Sequence, residues 1–166
     1  MSGRVKLDQF DIKILIALQE NGQLTKVKLA ERIGLSVSPC WERVKRLEQA
    51  GFIKGYHADV DLSLILRHSI IMVEVSLSSH RTTDFERFEQ AIHDVPEIVE
   101  CYATGGGIDY VMKVVALDIN QYQRMIDQLL QQEIGIDRYF TYVVTKPIKL
   151  ANGYPIATLL KQQKAE

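Results

Sequence analysis

The chain has little of what would mark it as a secreted, membrane-embedded or metal-dependent protein. It carries two cysteines in 166 residues, Cys40 and Cys101, too few for a disulfide framework. Both fall at core-type positions, Cys40 on the inward stripe of a predicted helix and Cys101 inside a predicted strand. They read as small buried apolar residues. The four histidines, His57, His68, His80 and His93, show no metal-ligand spacing, so no metal site is expected. No apolar run is long enough to span a bilayer, and the N-terminal MSGRVKLDQ has no h-region, so the expected location is the cytoplasm, with no membrane partner. No His/Asp/Ser or paired-carboxylate cluster is placed for catalysis, so neither an enzyme nor a cofactor is expected.

Net charge is also scarce. The total is −1, unpromising for a nucleic-acid binder until it is divided. Residues 1–62 hold 10 Lys and Arg against 8 Asp and Glu, a net +2, and residues 63–166 hold 10 against 13, a net −3. Within 24–50 the balance is 6 against 3, or +3, a modest basic bias that dimerisation would double along one duplex. Hydrophobic content of 46% and charged content of 25% are ordinary globular values, and the length suits two small domains.

What the chain does have is a two-helix grammar over LTKVKLAERIGLSVSPCWERVKRLEQAG, residues 24–51. Thr25 can cap a first helix, with Leu24 and Leu29 at hydrophobic-staple spacing and Leu29, Ala30 and Ile33 on one side. Gly34 stands where a helix C′ residue takes positive φ. Ser36 can cap a second helix, with Leu35 and Cys40 repeating the staple. Helix, short glycine turn, helix is the pattern of a helix-turn-helix, whose second helix enters the DNA major groove. At 100° per residue Cys40, Val44 and Leu47 form an inward stripe, while Ser38, Glu42, Lys45 and Gln49 point away. Pro39, Arg43 and Arg46 flank one side and Trp41 the other. Fork donors, small hydroxyls near the helix start and one carboxylate are what base-edge and phosphate contacts need; a solvated amphipathic helix with ordinary surface charge is the alternative. A further helix precedes the pair, with Asp8 as cap, Asp11 at N3, Leu7 and Ile12 as staple, an apolar face of Ile12, Leu15, Ile16 and Leu18, and a stop at Asn21-Gly22. After Gly51, residues 52–58 read as a short hairpin or wing, completing a winged helix-turn-helix.

The second half has a different order. Residues 69–78 form a predicted strand with Ile71, Val73, Val75 and Leu77 alternating onto one face. Thr83 and Glu86 have capping-box spacing before a helix bearing Phe85, Phe88, Ile92 and Val95, closed by Pro96. Residues 98–104 and 110–117 are strand candidates. Asp118 caps a helix running to about Gln132 with Tyr122, Met125, Ile126 and Leu129 inward, and 137–146 form a last strand ended by Pro147. The β-α-β-β-α-β order is ferredoxin-like. Both helices must cover one sheet face. The other face carries Ile70, Met72 and Glu74, apolar enough that a second subunit is the simplest cover.

Between the middle strands lies Ala103-Thr-Gly-Gly-Gly-Ile-Asp-Tyr110. A phosphate loop is excluded: there is no Gly-Lys-Ser/Thr, and a strand rather than a helix follows. A flexible hairpin turn remains open. So does a small-molecule pocket, in which exposed glycine N–H groups meet a carboxylate and Asp109 meets an ammonium, the two charges of a free amino acid.

These blocks resemble the leucine-responsive/asparagine-responsive (Lrp/AsnC) regulator family over nearly the whole chain. The resemblance rests on Leu7-Asp-Gln-Phe-Asp-Ile-Lys-Ile-Leu15, Leu29-Ala-Glu-Arg-Ile-Gly-Leu-Ser36, Arg43-Val-Lys-Arg-Leu-Glu48 before Gly51-Phe-Ile53, and the Gly105–Tyr110 turn. It implies a winged helix-turn-helix, a ferredoxin-like effector domain, dimers formed through the effector sheets and often assembled into octamers, and an amino-acid-type effector near the glycine turn. Gly-Gly-Gly-Ile-Asp-Tyr departs from the family in lacking a charged or aromatic residue after its first glycine. Pro39-Cys40-Trp41 matches only part of the family.

The reading is an α+β protein with a DNA-binding domain at 1–60, a linker at 61–68, an effector and oligomerisation domain at 69–150 and a tail at 151–166. The DNA contacts are assigned to Ser36, Ser38, Pro39, Trp41, Glu42, Arg43, Lys45 and Arg46, and the effector contacts to Thr104, Gly105, Gly106, Gly107, Asp109 and Tyr110. The alternative is an architectural DNA-organising protein with no small-molecule effector.

Overall fold

The computed structural model describes residues 6–151 and 153–163. The chain divides into two compact units, one made of the segment up to Asp59 together with residues from Lys149 on, the other Val60–Ile148.

The first unit contains α1 (Gln9–Glu20), α2 (Lys26–Ile33), α3 (Val37–Gln49) and α6 (Ile156–Gln163). Local chemistry sets the helix starts. Asp8 accepts from the N–H groups of Phe10 and Asp11, and Asp11 returns a bond from the Asp8 N–H, a complete capping box. Thr25 caps α2 through the Lys28 N–H, and Gly34 ends it at φ 79°. Ser36 holds the N-cap position of α3, but its hydroxyl makes no cap bond. The core is Ile14, Ala17, Leu29, Ala30, Ile33, Cys40, Val44 and Leu47. On α1 the buried line is Asp11, Ile14 and Ala17, while Ile12, Leu15, Ile16 and Leu18 are only partly buried. The expected apolar face is thus rotated, because a carboxylate occupies its first position.

Residues 52–61 form no strand, so the expected hairpin is absent and the segment runs on without regular secondary structure. Residues 151–166, expected to be a tail, include α6. Gln19 ties the start of that segment to α1: its amide donates to the Tyr154 carbonyl at 2.7 Å and accepts from the Tyr154 N–H at 3.0 Å.

The second unit holds β1 (Ser69–Leu77), α4 (Thr82–His93), β2 (Ile98–Ala103), β3 (Tyr110–Ala116), α5 (Ile119–Gln131) and β4 (Ile136–Val143). Arg81, not Thr83, occupies the N-cap of α4, which begins one residue before the expected capping box. Asp118 caps α5 through the Gln121 N–H, as its position predicted. The sheet order is β2-β3-β1-β4, and every neighbouring pair is antiparallel. Ile71, Val73, Val75 and Leu77 of β1 and Tyr110, Met112, Val114 and Ala116 of β3 face the core formed with Phe88 and Ile92 of α4 and Tyr122, Met125, Ile126 and Leu129 of α5. The register places Ile70, Met72 and Glu74 on the opposite face beside Val111, Lys113, Val115, Phe140 and Tyr142. Phe140, Tyr142 and Tyr102 are about half exposed there.

Candidate DNA interface and effector turn

Burial sorts the side chains of α3. Cys40, Val44 and Leu47 are at most 1% exposed. Ser38, Pro39, Glu42 and Lys45 lie on the exposed side. Trp41 is partly buried, and the Lys26 ammonium sits 4.0 Å over its ring, joining the starts of α2 and α3 by a cation–π contact. These positions agree with the helical wheel.

The arginines differ from expectation. Arg43 Nη1 donates to Asp8 Oδ2 at 2.7 Å and Asp11 Oδ1 at 2.8 Å, and Arg46 Nη2 donates to Asp11 Oδ2 at 2.6 Å. Asp11 is fully buried, so its charge is compensated by two guanidiniums from α3. Hydrogen bonding, chiefly from the Asp11 N–H, holds the Asp8 carboxyl below the usual range. Bonding to Asp8, then to Asp11, holds Arg43 above its ordinary value. Both arginines therefore have partners on α1, which the helical wheel of α3 could not reveal. The sequence signal was available: acidic residues at the N-cap and N3 of one helix, and arginines three apart on another. Arg46 remains 47% exposed and Arg43 27%.

The glycine turn joins β2 to β3. Thr104 N–H donates to the Asp109 carbonyl at 2.8 Å, and the Thr104 hydroxyl donates to the Ile108 carbonyl at 2.7 Å. A Cβ added at Gly105, Gly106 or Gly107 would meet nothing within 4 Å, so the backbone of the turn is open. Only Gly106 has positive φ, at 138°. Asp109, expected to await an ammonium, is engaged within the chain. Its Oδ2 accepts from the Leu77 N–H at 2.7 Å, and His80 Nε2 lies 3.1 Å from its Oδ1. His80, stacked on Phe85, is a neighbour of the turn that sequence reasoning missed, since 29 residues separate it from Asp109. Tyr110 belongs to the core instead of the effector wall. Strand alternation turns it under α4, where it packs on Phe88 and donates to Glu89 at 2.8 Å. Burial, reinforced by Glu89, pushes its phenol well above the ordinary value. A separate groove of about 450 Å³ between the α4–β2 connection and α5 is lined by Pro96, Glu97, Gln121 and Arg124 among others, away from the turn. Among the described residues there is no cluster suited to a metal ion, and no helix long and apolar enough to cross a membrane.

Two family descriptions match the chain: a winged helix-turn-helix DNA-binding domain over residues 7–54 and the Lrp/AsnC ligand-binding domain over 70–154. The chain belongs to the Lrp/AsnC family. This Lrp/AsnC protein is a transcriptional regulator that combines a DNA-binding helix-turn-helix with a ligand-binding domain. It is 51% identical over 145 residues to the transcriptional regulatory protein DoeX of Halomonas elongata, covering 87% of this chain and 92% of the relative. It is 36% identical over 152 residues to the leucine-responsive regulatory protein of Escherichia coli, with 92% and 93% covered. Among solved structures, the transcriptional regulator NMB0573 of Neisseria meningitidis, in complex with L-Met, superposes with a TM-score of 0.85 at 34% identity, covering 93% of this chain and 99% of that one.

Proposed function

We propose that this regulator reads a DNA sequence through α3 and responds to an amino-acid-like molecule held at the glycine turn of a homodimer. The observation that carries the DNA part is the sidedness of α3. Cys40, Val44 and Leu47 anchor it against α1 and α2, leaving Ser38, Pro39, Glu42 and Lys45 free to enter a groove. Ser36, Trp41, Arg43 and Arg46 border that surface. Gly105, Gly106 and Gly107 offer unobstructed N–H groups to a carboxylate, and Thr104 and Asp109 brace the turn that presents them. The likeness to a protein solved with L-Met supports an amino-acid class of effector.

The open sheet face supports the homodimer. Ile70, Met72, Val111, Val115, Phe140 and Tyr142 form an apolar field crossed by few charges, and a second copy covers it with the same chemistry. Dimers pair two DNA readers, and further assembly to octamers is part of this reading. Membership of a family of DNA-binding regulators supports a cytoplasmic location, and the reading includes no enzymatic step and no cofactor.

The test has two parts. Duplexes selected by the protein from a randomised pool should converge on one sequence, and a thermal-shift screen of amino acids and their derivatives should yield a compound that raises the melting temperature by mass action. That compound should then change affinity for the selected duplex, since two coupled sites must influence each other. Binding without sequence preference and without response to any metabolite would favour the architectural role instead.

A further inference from the structure

We propose that Asp11 is a positioning residue for DNA specificity: its buried carboxylate orients the Arg46 guanidinium, and with Asp8 that of Arg43, so that α3 presents fixed forks instead of mobile charges. This rests on the reading of α3 as the DNA-contacting helix.

Several observations converge on Asp11. It is the buried charged residue of the described core, at 0% exposure. Its two oxygens are divided between two arginines, Oδ1 taking Arg43 at 2.8 Å and Oδ2 taking Arg46 at 2.6 Å. It cannot turn away from them, because Oδ2 also accepts the Asp8 N–H at 3.0 Å while Asp8 Oδ1 takes the Asp11 N–H at 3.0 Å. Arg43 is held further by Asp8 Oδ2 and lies 5.5 Å over the Phe10 ring. Yet the Arg46 side chain stays 47% exposed, with donors beyond the one spent on Asp11.

The charge balance points the same way. Asp8 and Asp11 neutralise Arg43 and Arg46, so these arginines add little net attraction for phosphate. Their value lies in geometry. A planar fork locked in one orientation suits a base edge or one bidentate contact, whereas a freely rotating guanidinium serves any phosphate equally well. A carboxylate behind the fork thus favours discrimination at the expense of indiscriminate affinity.

The experiment uses the full chain, a duplex that the wild type selects from a randomised pool, and a scrambled duplex of equal length, each titrated across salt concentrations. Asp11→Asn removes one negative charge and loosens both arginines. The ratio of selected to scrambled affinity should fall by roughly tenfold or more. Affinity for the scrambled duplex should rise, with a salt slope steeper by about one. Arg46→Lys keeps the charge and loses the fork: the ratio should fall while the scrambled-duplex slope stays that of the wild type. A role in folding alone predicts a different pattern, in which Asp11→Asn weakens both duplexes alike and Arg46→Lys keeps the wild-type ratio; that result overturns the proposal. So does a ratio preserved within about twofold in both variants, a range too small for a lost base contact. Should Asp11→Asn fail to fold, the Arg46→Lys ratio decides. If the wild type binds DNA but enriches no sequence, sequence reading by α3 fails first, and this inference falls with it.

Discussion

The three glycines of the β2–β3 turn look equivalent in sequence, and the structure separates them. A methyl group added at Gly105, Gly106 or Gly107 would project into open space, with no atom within 4 Å at any of the three. Steric clash therefore contributes nothing, and backbone conformation decides the outcome. Gly106 has φ 138°, a conformation L-residues rarely adopt, whereas the other two do not have positive φ. Gly106→Ala should destabilise the effector unit by about 1–3 kcal/mol, the usual strain of a residue forced into such a region. Gly105→Ala and Gly107→Ala should be neutral or stabilising by up to about 1 kcal/mol, because alanine narrows the unfolded ensemble. For a unit of this size 1 kcal/mol corresponds to roughly 4–8 °C. The three purified variants, followed by near-ultraviolet circular dichroism during heating, should therefore split, with Gly106→Ala melting at least about 4 °C below the wild type and the other two at or above it. The same variants report on the effector. If the turn's N–H groups hold a ligand carboxylate, the new methyls of Gly105→Ala and Gly107→Ala obstruct its approach. The ligand-induced rise in melting temperature should shrink in proteins that are otherwise fully stable. Three equal melting curves would refute the conformational argument. Undiminished ligand stabilisation in Gly105→Ala and Gly107→Ala would move the pocket away from the turn.

Three further outcomes are expected. Gly153→Ala would bring a Cβ to 2.3 Å from the Gln19 side chain, whose two bonds to Tyr154 leave it no freedom to yield, so α6 should detach from α1; faster amide exchange across residues 156–163 in hydrogen-exchange mass spectrometry is the readout, and unchanged protection contradicts it. Phe140→Asp sets a charge on the open sheet face and should convert the proposed dimer to monomer by light scattering, whereas a dimer that persists would rule out this face as the interface. The Asp8 carboxyl, held below its ordinary value in the folded state, contributes stability that is fully present above about pH 4 and is lost as the pH falls through the folded value; the urea midpoints of wild type and Asp8→Asn should differ at pH 5 and converge as the pH is lowered further, and a constant gap would show that the bonds to Asp8 carry no such linkage.

Much of the site's scaffolding was legible from the chain because it depends on neighbours within a few residues. The Asp8, Thr25 and Asp118 caps, the stripe of Cys40, Val44 and Leu47, and the alternation of Ile71, Val73, Val75 and Leu77 each follow from one helical turn or one pleat, and all appear in the fold. The same local rules misplaced the α4 start at Thr83 and suggested a hairpin after Gly51. A turn-forming composition does not supply the pairing partner that a strand requires.

The sequence by itself determined the order of α1 to α3 and of the β-α-β-β-α-β unit, most of their helix termini and which side of α3 is apolar, because caps and periodicity act within the span of a single element. Only the tertiary structure decided what the charged groups do. Arg43 and Arg46 meet carboxylates 32 to 35 positions away in number, Asp109 is satisfied by Leu77 and His80, and Gln19 holds Tyr154 across 135 residues. Such bonds depend on where whole helices and strands cross, and burial makes the pairing obligatory: a carboxylate as enclosed as Asp11 must find its partners wherever the fold brings them.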